Sequence, residues 1–165
     1  MKDRWIALYV ENEVGVLAKI SGLFAGKSYN LKSLTVGTTE HEDTSRMTIC
    51  ATCDDITFEQ IKKQLNRMVE VIKVLDLTNT PIHMKEILYA KVKKCSPDDK
   101  AEVFRIAQAF DVEVVDIGAD SVLLECKLTA RRINDLVELL KSRFTHIETV
   151  RGGAVAIESI STSCR

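Results

Sequence analysis

Glu11-Asn12-Glu13-Val14-Gly15-Val16-Leu17 separates two stretches of different periodicity, and reading it as a strand-to-helix turn decides the fold. Before it, Ile6, Leu8 and Val10 alternate with Trp5, Ala7 and Tyr9, the period of two that marks a strand, here apolar on both faces. After it, Leu17, Ile20, Leu23 and Phe24 recur at helical spacing as far as about Gly26. The turn sets an amide side chain, a glycine and a helix start within a few residues of one another. Helix N-terminal N–H groups attract a carboxylate, and an asparagine oxygen suits an ammonium, so the stretch has the chemistry to receive a small zwitterion such as a free amino acid. Ordinary readings stand beside this one: Gly15 as a loop glycine and Asn12 as a helix cap.

Outward from the turn, strands are predicted over 31–38 and 46–52, joined by the polar His41-Glu42-Asp43-Thr44. Phe58, Ile61, Leu65 and Met68 mark a second amphipathic helix behind the capping pair Asp54-Asp55, and residues 71–77 form a fourth strand. The order is β-α-β-β-α-β. After the polar break Thr78-Asn79-Thr80-Pro81 the order repeats. Strands are expected over 86–92, 112–117 and 122–127, and residues 146–150 and 154–158 supply one or two terminal strands around Gly152-Gly153. Helical stripes run through Val103, Phe104, Ile106, Ala107 and Phe110 behind Ser96-Pro97, and through Ile133, Leu136, Val137 and Leu140. The chain therefore reads as α+β, two tandem split β-α-β modules with antiparallel sheets and helices on one face: a first module over 1–78, a linker over 79–84 and a second module over 85–165.

At 165 residues each module is short of core, which favours burial against a partner chain. An edge strand over 31–38 that pairs with its copy across a two-fold axis makes a dimer, and brings the Asn12–Gly15 turn near the neighbour's Asn30 and Leu31. With 23 Lys+Arg against 24 Asp+Glu, the chain lacks the basic excess of a nucleic-acid binder. It shows no apolar run near the ~20 residues that span a bilayer and no leader pattern, and reads as soluble and cytoplasmic. The five cysteines, Cys50, Cys53, Cys95, Cys126 and Cys164, have no framework spacing, so reduced thiols are expected.

The first stretch, together with Gly22-Leu23-Phe24, Tyr29-Asn30-Leu31, Ser33-Leu34-Thr35-Val36, Ser45-Arg46-Met47-Thr48-Ile49, Gln60-Ile61-Lys62-Lys63-Gln64-Leu65 and Val69-Glu70-Val71-Ile72-Lys73-Val74, resembles the regulatory small subunit of acetolactate synthase (acetohydroxyacid synthase). The resemblance continues more weakly through Val114-Val115-Asp116-Ile117 and Arg151-Gly152-Gly153-Ala154-Val155-Ala156. It implies an N-terminal ACT domain that binds a feedback amino acid, usually valine, at a dimer interface, and a C-terminal ferredoxin-like domain. It also implies a chain without an active site of its own, which activates a catalytic large subunit and confers end-product inhibition on it. No cofactor is expected in this chain; thiamine diphosphate, Mg and FAD are expected in the catalytic partner. Matched position by position, Asn12, Gly15, Val16, Leu17 and Ala18 correspond to the ligand loop of one chain, and Asn30 and Leu31 to the contribution of the other. Two departures stand out: Ser28 where the family often has glycine before the aromatic-Asn segment, and Phe110-Asp111-Val112 where it usually has Phe-Arg-Gly.

Other candidates have plainer readings. Cys50 and Cys53 fall three apart on a predicted strand and so point to opposite faces, which disfavours a shared metal. His41, His83 and His146 are scattered, Glu11 and Glu13 lack a third catalytic group, and Lys91, Lys93 and Lys94 read as one solvated strand face. The alternative function is a free-standing ACT-type amino-acid sensor that serves a different enzyme or a transcription factor; an enzyme acting alone lacks the residues.

Overall fold

The computed structural model describes residues 1–26 and 29–160. Ser28, singled out above, and Cys164 lie outside the described residues. Contacts divide the chain into two units, Met1–His83 with the segment from Val155 onward, and Met84–Ala154.

In the first unit β1 (Lys2–Glu11), α1 (Val16–Gly26), β2 (Asn30–Thr38), β3 (Thr44–Cys53), α2 (Asp55–Leu65) and β4 (Val71–Asp76) follow the expected order. The strands form one antiparallel sheet in the spatial order β2-β3-β1-β4, so β3 lies between β1 and β2 and β2 is an edge. Ile6, Leu8 and Val10 of β1 and Met47 and Ile49 of β3 pack with Val16, Ile20 and Phe24 of α1 and with Phe58, Ile61 and Leu65 of α2. Both helices therefore cover the same sheet face. The stripe of α1 differs by one position from its expected start: Val16, not Leu17, begins it, and Leu17 is 41% exposed. Val16, Ile20 and Phe24 recur every four residues, which leaves the next residue about 100° around the helix and outward. Asp54 caps α2, its carboxylate accepting from the Thr57 N–H at 2.7 Å.

In the second unit β5 (Ile82–Val92), α3 (Pro97–Phe110), β6 (Glu113–Ile117), β7 (Val122–Leu128), α4 (Ala130–Arg143) and β8 (Ile147–Arg151) repeat the topology, with the strand order β6-β7-β5-β8. Leu88, Ala90, Val92, Val122, Leu124 and Cys126 pack against Val103, Ile106, Ile133, Leu136 and Leu140. Ser96 and Asp99 form a reciprocal capping box at the start of α3, and Asp111 ends that helix in the left-handed region at φ 57°. Phe104, expected in the stripe of α3, is 43% exposed. Strand β5 begins at Ile82, earlier than 86, and stops at Val92, so Lys93 and Lys94 lie beyond the strand face assigned to them.

A ninth strand, β9 (Val155–Glu158), pairs with β5, and the Ser159 N–H donates to the Pro81 carbonyl at 2.9 Å. By contact this segment counts with the first unit, whereas the sequence-level division placed everything after residue 85 in the second module. A four-residue strand behind two glycines carries no pattern that names its neighbours.

Cys53 sits in the core beneath the helices while Cys50 is buried outside that cluster, so the pair faces opposite ways. The four described cysteines are buried and none forms a disulfide, and burial pushes the Cys126 thiol up to about 11. No helix among the described residues is long and apolar enough to cross a membrane. Ile61, fully buried between α2 and the sheet, is expected to cost about 2–5 kcal/mol when replaced by alanine. Ile87→Ala, at a 39% exposed position, should shift the urea midpoint far less at the same protein concentration.

Candidate functional site

The turn between β1 and α1 is held by three hydrogen bonds through Asn12. Its N–H donates to the Asp43 carbonyl at 2.7 Å, its Nδ2 to the Glu42 carbonyl at 2.9 Å, and its Oδ1 accepts from the Ser45 hydroxyl at 2.9 Å. Asn12 thus fastens the turn to the β2–β3 loop, a role beyond the helix cap that sequence suggested. An amide oxygen has two lone pairs and the nitrogen two hydrogens, so each group keeps one position for a further partner.

Gly15 adopts φ +89°, a backbone conformation that L side chains rarely take, and an added Cβ meets nothing within 4 Å. Conformation, not crowding, is what requires glycine here. Because Gly15 precedes Val16 and has no side chain, it offers α1 no side-chain cap, and the first turn of α1 contains no acidic residue. The first helical bond runs from the Lys19 N–H to the Gly15 carbonyl at 3.0 Å. The N–H groups of Leu17 and Ala18 precede it, and so belong to the unpaired first turn of the helix. Val16 contributes backbone only, since its side chain is 3% exposed and lies in the core.

Two further groups frame the turn. The Glu11 N–H donates to the Glu70 carbonyl at 2.9 Å, which brings the approach to β4 alongside. The Lys19 ammonium pairs with the Glu70 carboxylate. Their hydrogen bond holds the Glu70 carboxyl below its ordinary range and the Lys19 ammonium above its own. Val14, at the tip of the turn, is fully exposed, and Leu17 partly so.

Asn30 and Leu31 do not join this group within one chain. Asn30 is level with Thr52 and Asp3, whereas Thr38 is level with Ser45 and Val10, beside the turn. At ~3.4 Å per residue the length of β2 separates the two ends by roughly 27 Å. Asn30 is exposed and Leu31 half-buried against the core.

The second unit treats the equivalent helix start differently. There Ser96 and the Asp99 carboxylate fill the first turn of α3, with Asp98 beside them, and the bond to Ser96 holds the Asp99 carboxyl below the usual carboxylate range. Of the two turns related by the internal repeat, only the first leaves its helix without an anionic group of its own.

Known proteins resemble the chain along most of its length. Residues 6–73 match the model of an AHAS small subunit-like ACT domain, and residues 85–160 that of the small subunit of acetolactate synthase. An acetolactate synthase small subunit from Aquifex aeolicus is 43% identical over 92% of this chain and 79% of its own length. The chain belongs to the acetolactate synthase small-subunit family. A probable acetolactate synthase small subunit from Archaeoglobus fulgidus is 37% identical over 92% of this chain and 94% of its own length. The crystal structure of an acetolactate synthase small subunit from Thermotoga maritima superposes with a TM-score of 0.85 at 29% identity, covering 96% of this chain and 98% of that one.

For this member of the small-subunit family, sequence reasoning located the turn but not the groups that hold it. Ser45, Glu42, Asp43, Lys19 and Glu70 reach the turn from elements 7 to 58 residues away, and only the strand register shows it. Gly15→Ala should lower stability by about 1–2 kcal/mol through its backbone alone, read as a lower urea midpoint with an unchanged slope.

Proposed function

We propose that the chain is the non-catalytic regulatory subunit of acetolactate synthase, a homodimer that binds valine or another branched-chain amino acid and passes that signal to the catalytic large subunit. The observation that carries the reading is the uncapped start of α1, reached through Gly15 at φ +89° and flanked by the Asn12 amide. The effector's carboxylate sits on the Leu17 and Ala18 N–H groups, where the helix dipole favours negative charge. Its ammonium shares the Asn12 oxygen with Ser45.

The separation of Asn30 and Leu31 from the turn supports the dimer. Because β2 is an edge strand, antiparallel pairing of β2 with its copy about a two-fold near Leu34 sets each chain's Asn30 and Leu31 beside residues 37 and 38 of the other, at the turn. One zwitterion then touches both chains: Asn30 helps to orient the ammonium, and Leu17 and Leu31 bound the aliphatic group. The catalytic partner carries thiamine diphosphate, Mg and FAD, while this chain supplies only effector binding and coupling. In this reading the chain works beside its enzyme in the cytoplasm.

Titration calorimetry of the free subunit with valine, leucine and isoleucine should give heat with at least one at a stoichiometry of one per site, and silence with all three removes the sensor role. Gly15→Asp places a carboxylate where the effector's own must lie. It should abolish inhibition of the reconstituted enzyme while leaving activation by the subunit in place; an unchanged half-inhibitory concentration would contradict the site.

A further inference from the structure

Two consecutive residues at the start of β3 reach in opposite directions. Ser45, 6% exposed, donates its hydroxyl to the Asn12 oxygen in the effector turn. Arg46 points to the other sheet face, as the pleat requires. There its guanidinium donates to the Tyr9 hydroxyl at 2.6 Å and to the Ala156 carbonyl at 3.0 Å, and it lies 3.4 Å from the Glu158 carboxylate. It also stacks 5.1 Å from the centre of the Tyr9 ring, with its side chain 18% exposed. Tyr9 is the cross-strand neighbour of Arg46, so the same β1–β3 pairing that precedes the turn carries the platform on which the guanidinium rests. The strand it grips, β9, is joined by only three residues, Gly152-Gly153-Ala154, to β8 of the second unit.

We infer that Arg46 is a positioning residue that couples the effector turn to β9, and through the covalent chain to the second unit. The inference rests on the effector site described above. An ammonium bound at the second lone pair of the Asn12 oxygen draws on the acceptor that the Ser45 hydroxyl already uses and weakens that bond, so occupancy changes the restraint on the first residues of β3. Ser45 and Arg46 share a peptide, and a shift of that peptide moves the guanidinium relative to the Ala156 carbonyl. The planar fork of arginine makes the clamp directional: a displacement that misaligns one N–H weakens the other contacts with it. Coupling of this kind requires a binding difference between two arrangements, and a hydrogen bond that the ligand weakens supplies one.

The test separates binding from transmission. Arg46→Met, Arg46→Lys and Glu158→Gln are made in the full chain, titrated with valine by calorimetry, and then reconstituted with the cognate large subunit for inhibition by valine. Arg46→Met is expected to bind valine with a dissociation constant within about twofold of the parent, while its half-inhibitory concentration rises roughly tenfold, inside the span typical of allosteric coupling. Arg46→Lys should recover part of the response, and Glu158→Gln should shift it less, in the same direction. Hydrogen exchange at 156–159 should change with valine in the parent and not in Arg46→Met. Should Arg46→Met fail to fold by circular dichroism, Glu158→Gln and the exchange measurement on the parent decide the matter. Normal binding with unchanged inhibition in Arg46→Met overturns the inference, as does loss of binding together with inhibition, which makes Arg46 part of the site. If the parent chain itself binds no branched-chain amino acid, the effector site falls first, and the coupling with it.

Discussion

The register of β3 between β1 and β2 is the constraint on which the rest depends. By pairing Glu11 with Thr44 and Thr38 with Ser45, it sets the turn after β1, the loop before β3 and the end of β2 at one end of the sheet. It sends the start of β2 to the opposite end by the same geometry. A slip of one residue would reverse every side chain of β3, exchanging Met47 and Ile49 in the core for Thr48 and Cys50 and taking Ser45 away from Asn12. Met47 and Ile49 are at most 1% exposed against α1 and α2, so that slip would take both out of this packing together. The site inherits its precision from the packing of the core.

The two halves share a topology and differ in what they do with a helix start. In α3 the chain supplies its own anion: Ser96, Asp98 and Asp99 satisfy and neutralise the N-terminal N–H groups. In α1 a glycine at positive φ and a first turn without acids leave the same groups without an anion supplied by that turn. A folded chain gains roughly 1 kcal/mol from a good cap, and in the proposed site the bound effector stands in its place. One capped and one uncapped helix in a duplicated architecture is the contrast on which the proposed site in the first unit rests.

Element order, both sheets and the location of the turn were legible because they rest on periodicity and local chemistry: Ile6, Leu8 and Val10 alternate, Ile61 and Leu65 repeat at helical spacing, and Asp54 and Ser96-Pro97 announce their helices. What escaped the sequence depends on contacts between distant segments. Asn12 read as a helix cap or an acceptor for an ammonium, since nothing local shows that Ser45 and Glu42 lie against it. Leu17 looked like core because apolar character alone does not say where a helix begins, and a start at Val16 turns Leu17 outward. The return of β9 was hidden for the same reason: its four residues, Val155–Glu158, are too few to carry a pattern, and the Ala156 carbonyl meets Arg46, 110 positions earlier.

An exposed edge strand is a hazard unless it is short, twisted, charged or paired. Strand β2 has nine residues with one irregularity near its start, between Leu31 and Ser33, and Lys32 as its only charge. That protection lies at one end, leaving residues 34–38 as a regular edge next to the effector turn. In the proposed dimer this same stretch is covered by the copy, and each effector site is completed by a residue pair that lies too far along its own strand to serve its own turn. Ligand binding and subunit pairing are then linked by mass action: whatever favours the paired edge raises affinity for the amino acid, and the amino acid stabilises the paired edge by an equal factor. A sensor whose site is divided between chains in this way needs no large internal rearrangement, because the equilibrium it biases is the alignment of two sheets.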